Sequence, residues 1–509
     1  MKKRIILLIS GIVICLGILA YFQINNKTHL RKNCLIDKNS SIAIMIKENG
    51  KNDYIKSSSS TIPIGNYVLN KDKTYCENNG KVSNYNNATG AISFALVGAD
   101  KCYLYFDYKE VRVGYEAVLI DNGGSATTVD DARKYIESRT APDFSSTPTT
   151  NEGMFYIQDD RGKSYYYRGN VDNNWVKFGH TGKCTYNDFE FDYAITDFDN
   201  GDTTGIYGEA ICKQNICDIG DGYYEIGLTK SQCEDEYGAT YLEQTPVWNQ
   251  TSDDYYWKIV RINGDNSIRL IYSGTSAPSE NEKISIKGAS TGAFQSTFLP
   301  SGTINIWGFQ YSTGPTYGKC TTVGADSCTI NSTRVYNSEI KQSLERWYSE
   351  NMTSLTNLLE DQSFCSEFGD TNASDIYFDS YYRVTGYNPS LSCSTTFNFC
   401  SDSTDKGCNG ALIYPVGTLS VDEAMLAGNV QKKSNENNYL NSNINYFLSS
   451  GYAFDRSTGY SAIYIVDENG NLSSANHNFS LYVRPVISLK SNVKFIGTGT
   501  WDDPYIVIY

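Results

Sequence analysis

The chain has 509 residues, with 43 Lys and Arg against 57 Asp and Glu and a formal net charge of −14. Its length supplies core for about three domains. The acidic balance, with no basic run beyond the N-terminus, argues against a nucleic-acid binder and against an electrostatic binder of membrane surfaces, and 14 Cys against 3 His argues against a centre built on several histidines.

Lys2, Lys3 and Arg4 precede an apolar run from Ile5 to Phe22. As a helix that run would rise about 27 Å, close to the thickness of a bilayer core, with its positive flank inside. Residues 1–26 read as a signal anchor or a signal peptide. Ile18, two residues before Ala20, spoils an A-x-A-like cleavage site and favours the anchor. The remainder is expected outside: a single-pass cell-membrane protein with an extracellular C-terminal region, or a secreted one if the segment is cleaved. Export makes disulfides the default for the thirteen cysteines beyond Cys15. The expected local pairs are Cys76–Cys102, Cys320–Cys328, Cys365–Cys393 and Cys400–Cys408, with Cys34 left over. Only Cys212 and Cys217 approach zinc-ligand spacing, and they lack a second pair.

Residues 27–118 read as a small all-β sandwich module. Ile42, Ile44 and Ile46 alternate along one strand, the turn at Glu48–Asn52 follows, and Cys102–Phe106 is another strand. Residues 119–150 read as a linker with one short helix, capped by Thr128 with Asp131 in its first turn. The string S-S-T-P-T-T at Ser145–Thr150 closes it. In residues 151–509, Tyr255–Tyr272 is a hairpin turning at Asn263–Asn266. Residues 179–254 are an acidic, cysteine-bearing insertion, with a capping pattern at Thr229 and Gln232. Helical spacing joins Ile340, Leu344, Trp347 and Tyr348, then Leu355, Leu358 and Leu359. Ser420 and Glu423 make another capping box. Strands return at Tyr460–Val466, Leu481–Leu489, Val493–Ile496 and Tyr505–Ile508. Helices and strands in separate blocks predict an α+β domain.

Five strings carry a resemblance: G-M-F-Y-I-Q-D-D at Gly153–Asp160, R-G-N-V-D-N-N-W-V-K-F at Arg168–Phe178, Y-W-K-I-V-R-I-N-G-D at Tyr256–Asp265, Y-P-V-G-T-L-S-V-D-E-A at Tyr414–Ala424 and V-R-P-V-I-S-L at Val483–Leu489. In these the chain resembles surface proteins of low-GC Gram-positive gut bacteria that are themselves uncharacterised. Its C-terminal half resembles, more loosely, the C-type-lectin-like fold shared with formylglycine-generating enzymes. The expected architecture is then an N-terminal anchor helix and a small all-β sandwich module, followed by an α+β domain that the resemblance makes C-type-lectin-like. It does not carry over that family's cysteine chemistry, since no cysteine follows Cys408. Nor does it carry over the lectins' calcium–sugar site, since E-P-N and Q-P-D are absent.

Asp197, Asp199, Asn200 and Asp202 offer oxygen ligands at alternating positions around Gly201. They are read as a possible calcium loop or as a solvated acidic turn. Arg484 inside an apolar strand reads as a buried structural cation or an anion contact. His29, His180 and His477 read as surface or turn residues. Tyr is 41 residues, and Tyr381, Tyr382 and Tyr387 are expected on loops as amphipathic contact surface. The leading expectation is a membrane-anchored extracellular binding or adhesion protein without catalytic residues. It would recognise a glycan or a surface protein through loops 275–335 and 365–410. Two alternatives stand beside it, a carboxylate-based glycan or cell-wall hydrolase and a structural envelope protein.

Overall fold

The computed structural model describes residues 41–508 apart from 79, 86–91, 96–99, 187–188, 191–193, 196–205, 208–213, 227, 237, 244–246, 296–308, 311–321, 324–326, 331–332, 367–376, 394–397, 402–407, 409, 411, 456–459 and 477–478. The chain divides into two compact units. One comprises residues 1–112, 494–497 and 507–509, and the other 113–493 and 498–506.

The first unit is built on strands β1 (Ser41–Lys47), β2 (Ile55–Lys56), β3 (Tyr67–Leu69), β4 (Tyr75–Cys76) and β7 (Lys101–Tyr108), in the order β2-β1-β7-β3 with β4 also on β7. Period-two alternation sets the faces. Ile44 lies beside Leu104 and Ile46 beside Phe106 on parallel neighbours. The hairpin β5 (Lys81–Tyr85) and β6 (Ile92–Ala95) adds Ile92 and Phe94 to the core of Ile44, Ile62, Leu69, Leu104 and Phe106. Two layers result, because one sheet face of this size must bury its apolar side against something.

The second unit begins with α1 (Gly114–Asp121) and α2 (Val129–Glu137); Thr128 Oγ1 caps α2 by accepting from Asp131 N. Its main sheet contains β8 (Asn151–Asp159), β9 (Gly162–Gly169), β10 (Trp175–Tyr186), β14 (Val247–Ile262) and β15 (Ile268–Tyr272). Between β10 and β14 a small sheet is formed by β11 (Ile216–Gly220), β12 (Tyr223–Ile226) and β13 (Thr240–Leu242). The 16-residue β14 pairs with β10 as far as Thr185–Val247, so the expected insertion grows out of an extended ladder. A second sheet runs through β16 (Ala293–Gln295), β17 (Tyr446–Asp455), β18 (Tyr460–Val466), β19 (Leu472–Asn476) and β20 (Ser480–Tyr482), in the order β16-β20-β17-β18-β19. β21 (Val486–Leu489) edges the main sheet beside β15, and β22 (Tyr505–Ile508) adds to β10 in parallel. Three helices of this half are α3 (Glu339–Asn351), α4 (Asp379–Thr385) and α5 (Val421–Ala427).

The architecture corrects the expected fold class. The described chain is mostly β-sheet with few helices, not an anchor helix followed by an α+β lectin-like domain. The physical reason is the brevity of the helical periods. Leu355–Leu359 yields one 3-10 segment at Thr353–Leu358, and the cap at Thr229 opens only the five-residue turn Gln232–Glu236. α4 and α5 span seven residues each, too short to hold together without the sheets beneath them. Among the described residues no helix is long and apolar enough to cross a membrane. The run Ile5–Phe22 lies outside them, so single-pass anchoring has no structural support.

The string Ser145–Thr150 is packed into the second unit. Buried Arg168 donates from Nη2 to Asp143 O and Ser146 O, at 3.0 and 2.9 Å, and from Nε to Glu152. Gly428, at φ 106°, caps α5 with Pro148 directly against it. A β-carbon there would lie 2.5 Å from Pro148 Cγ, which leaves room for glycine alone.

Candidate functional site

The site is built on α4. Upstream, Tyr377 bridges Ala453 of β17, and Phe378 N and Ser380 Oγ donate to Tyr452 O and Gly451 O. These bonds lay the start of α4 flat on the second sheet. Buried Phe378, Ser380 and Val384 face that sheet, while Tyr382 is 49% exposed. The helix ends at Gly386, and the next residue, Tyr387, adopts φ 53° with 42% exposure. Left-handed backbone is strained for a tyrosine, and such strain concentrates where a side chain must be aimed.

One ion pair fixes the rotation of α4. Arg383 Nε and Nη2 donate to Asp422 Oδ1 and Oδ2 at 2.8 Å each. Asp422 is 2% exposed and also accepts from Ser390 N at 2.9 Å. A planar guanidinium meeting a carboxylate through two parallel bonds is a directional clamp. Downstream, Leu391 bridges Asp159, and the Cys365–Cys393 disulfide ties the segment to the strand Phe364–Cys365.

On this support the tyrosines form one aromatic cluster. Tyr377 and Tyr381 stack at 3.9 Å between centroids. Tyr382 and Tyr452 meet Tyr381 edge-on at 5.4 and 5.5 Å, and Tyr464 meets Tyr452 at 5.2 Å. Tyr464 is fully buried and its hydroxyl has no hydrogen-bond partner among the described residues. Burial pushes that phenol well above its usual pKa, and Tyr452 and Tyr381 add to the shift. The cluster is thus buried at Tyr464 and half-open at Tyr381 and Tyr382, and Tyr387 stands exposed just beyond the end of α4. Such a surface offers flat apolar area, edge hydrogens and phenolic hydroxyls, with few rotamers to freeze.

The expectation that Tyr381, Tyr382 and Tyr387 stand on loops is corrected in part, since the first two belong to α4 and only Tyr387 lies in a turn. Sequence reasoning missed Arg383, Asp422, Tyr377 and Tyr452. The i, i+4 spacing of Tyr377 and Tyr381 was the available signal for the stacked pair. Asp197, Asp199, Asn200 and Asp202 lie outside the described residues, as does Cys320 and with it the Cys320–Cys328 pairing. The structure closes Cys76–Cys102, Cys217–Cys233, Cys365–Cys393 and Cys400–Cys408. Cys217 is therefore a bridge sulfur. Asp100 lies beside Cys76 and Cys102, but those sulfurs are bonded to each other and offer no thiolate for a metal.

Other buried charges serve the fold. Arg484 donates to Tyr272 O, Leu440 O and Ser273 Oγ and sits 5.0 Å over the Tyr446 ring. Glu423 completes the α5 capping box with Ser420, accepts from Arg261 Nε at 3.1 Å and has Arg269 Nε at 2.6 Å. Burial alone would raise its pKa. The charges of Arg269 and Arg261, and the Ser420 N–H, overrule burial and hold it below the usual range. Asp159 is engaged by Arg261 and Gly264 N, and Glu345 by Lys341 and Ile413 N. These buried carboxylates are committed to cations and backbone, which is poor ground for paired acid–base chemistry.

Compared with protein-family models, curated proteins and solved structures, the chain matches none. Four disulfides among the described residues, on a β-rich fold, are consistent with an extracellular protein, kept in an oxidising environment.

Proposed function

We propose that this chain is an extracellular binding protein that engages a glycan or a cell-surface protein through the tyrosine face of α4. The observation that carries the reading is Tyr382 and Tyr387 standing exposed on a segment whose own position is locked by the Arg383–Asp422 fork. Preorganised aromatic side chains convert contact area into affinity with little ordering cost. Adhesion to a surface follows from that reading as its biological use.

The test is selective binding by the full chain, on a broad glycan array and on intact bacterial and epithelial cells, each in calcium and in chelator. Tyr382→Ala combined with Tyr387→Ala should lower the signal about tenfold, the usual cost of removing interface anchors, with an unchanged melting transition. Loss in chelator would show that binding needs calcium, and loss of that calcium-dependent signal on Asp197→Asn with Asp199→Asn would assign the ion to the Asp197–Asp202 loop. Binding that survives the double substitution would refute the α4 face.

A further inference from the structure

The first unit carries a second aromatic surface. Along β7 the inward residues Cys102, Leu104 and Phe106 are buried, and Tyr103, Tyr105 and Asp107 form the other, half-exposed row. Tyr75 of β4, 50% exposed, lies opposite Tyr103 and stacks on it at 4.9 Å with rings 19° apart. Tyr54 meets Tyr105 edge-on at 4.9 Å. From Tyr103 to Lys109 the strip runs about 20 Å at strand spacing.

Polar groups punctuate it. Tyr54 Oη donates to Asp107 Oδ1 at 2.6 Å, Asn70 Nδ2 donates to Oδ2 at 2.8 Å, and Tyr103 Oη donates to Glu77 at 3.0 Å. Lysines border it. Lys73 Nζ lies 4.6 Å over the Tyr54 ring and Lys101 Nζ 4.9 Å over that of Tyr103. At the far end Lys47, Lys51 and Lys109 line a cleft with Glu48, Asp107 and Tyr108. The charge of this region is set against that of the rest. Residues 41–112 hold nine Lys and Arg against seven Asp and Glu, whereas residues 113–509 hold 27 against 49.

We infer that the Tyr75–Tyr103–Tyr105 strip and its bordering lysines bind an acidic polysaccharide, pyranose rings lying on the tyrosines and carboxylates reaching the lysines. The flat C–H faces of pyranoses suit exposed aromatic rings, and ring hydroxyls suit Asp107 and Glu77 as acceptors. Single-stranded nucleic acid also uses aromatic rings and cations. Its phosphodiester oxygens only accept hydrogen bonds, and the two carboxylates inside the strip, Asp107 and Glu77, need donors and would repel them. An acidic sugar chain brings hydroxyl donors for Asp107 and Glu77 on the same rings that lie on the tyrosines, while its carboxylates reach the bordering lysines. The site is separate from the α4 face, and either stands without the other.

The test uses the full chain against polygalacturonate, alginate and hyaluronan, a carboxyl-reduced polygalacturonate and a thymidine 20-mer, at 50 and 150 mM salt. At least one acidic polymer should bind and weaken with salt, and the carboxyl-reduced form should bind about tenfold less. Tyr75→Ala should cost about tenfold. Lys47→Gln with Lys51→Gln and Lys109→Gln should flatten the salt dependence, these being surface changes that leave the melt intact. Loss of binding with Tyr382→Ala in place of Tyr75→Ala would put the polymer on α4 and overturn the inference. Binding to none of the acidic polymers, indifference to both sets of substitutions, or tighter binding of the oligonucleotide would each overturn the inference.

Discussion

Arg383 of α4 grips Asp422 of α5 through two 2.8 Å bonds, and the carboxylate it grips is 2% exposed. Removing the cation leaves the buried charge with the Ser390 N–H and the first turn of α5 as its support among the described residues. Arg383→Ala should therefore cost about 3–5 kcal/mol, read as a lower urea midpoint at unchanged slope. Arg383→Lys should recover only part, because a point charge cannot make the fork. A loss below about 1 kcal/mol, the range of an exposed pair, would show that the clamp does not hold α4.

Tyr387 sits at φ 53°, where glycine is unstrained. Tyr387→Gly should raise stability by about 1 kcal/mol while weakening ligand binding. Opposite signs in the two assays are the signature of strain kept for function. A variant both less stable and fully active would reverse that assignment.

Lys258 is buried in the second unit, donating from Nζ to Val171 O at 3.2 Å and lying 4.0 Å over the Trp175 ring. Burial drives its ammonium pKa well below the ordinary value. Asp172 opposes the shift and Arg484 adds to it. The folded state then binds fewer protons than the unfolded one between the depressed value and the ordinary one near 10.4, so stability rises with pH across that window. Lys258→Met should remove this slope and stabilise by about 1–2 kcal/mol at pH 7, the lost bond to Val171 O offsetting part of the gain. Urea midpoints from pH 5 to 9 decide it, since parallel curves for the two proteins would mean that Lys258 stays charged when folded.

The Cys365–Cys393 bridge closes a separation of 28 residues that includes α4. Replacing both by serine should cost about 3–4 kcal/mol in the chain-entropy view. Hydrogen exchange should also quicken in residues 379–391 more than in β17, because the bridge anchors the downstream end of that segment. Uniform exchange across both would place the effect in the unfolded chain alone.

Legibility followed the range of the interaction. The Tyr255–Tyr272 hairpin could be read because alternation and a turn at Asn263–Asn266 lie within one stretch, and the structure pairs Trp257 with Tyr272 and Ile262 with Ile268. The cap at Ser420 and Glu423 was equally local. What sequence did not expose was that the same Glu423 also meets Arg261 and Arg269, more than 150 residues away. The Arg383–Asp422 fork spans 39 residues and has no periodicity to announce it. The α+β expectation failed for a related reason. A few apolar residues at helical spacing do not outweigh the strands that surround them, and Leu355–Leu359 and the segment opened by Thr229 were given the weight of helices they do not form.

In the first unit β1 and β7 run parallel and side by side over seven register pairs, from Ser41–Lys101 to Lys47–Asp107. The N-terminal end of β1 and the C-terminal end of β7 therefore lie at opposite ends of one hydrogen-bond ladder. Tension applied between them loads the ladder lengthwise, and its bonds must yield together instead of peeling apart one at a time. Strands loaded in this direction resist separation more than a pair pulled open from one end.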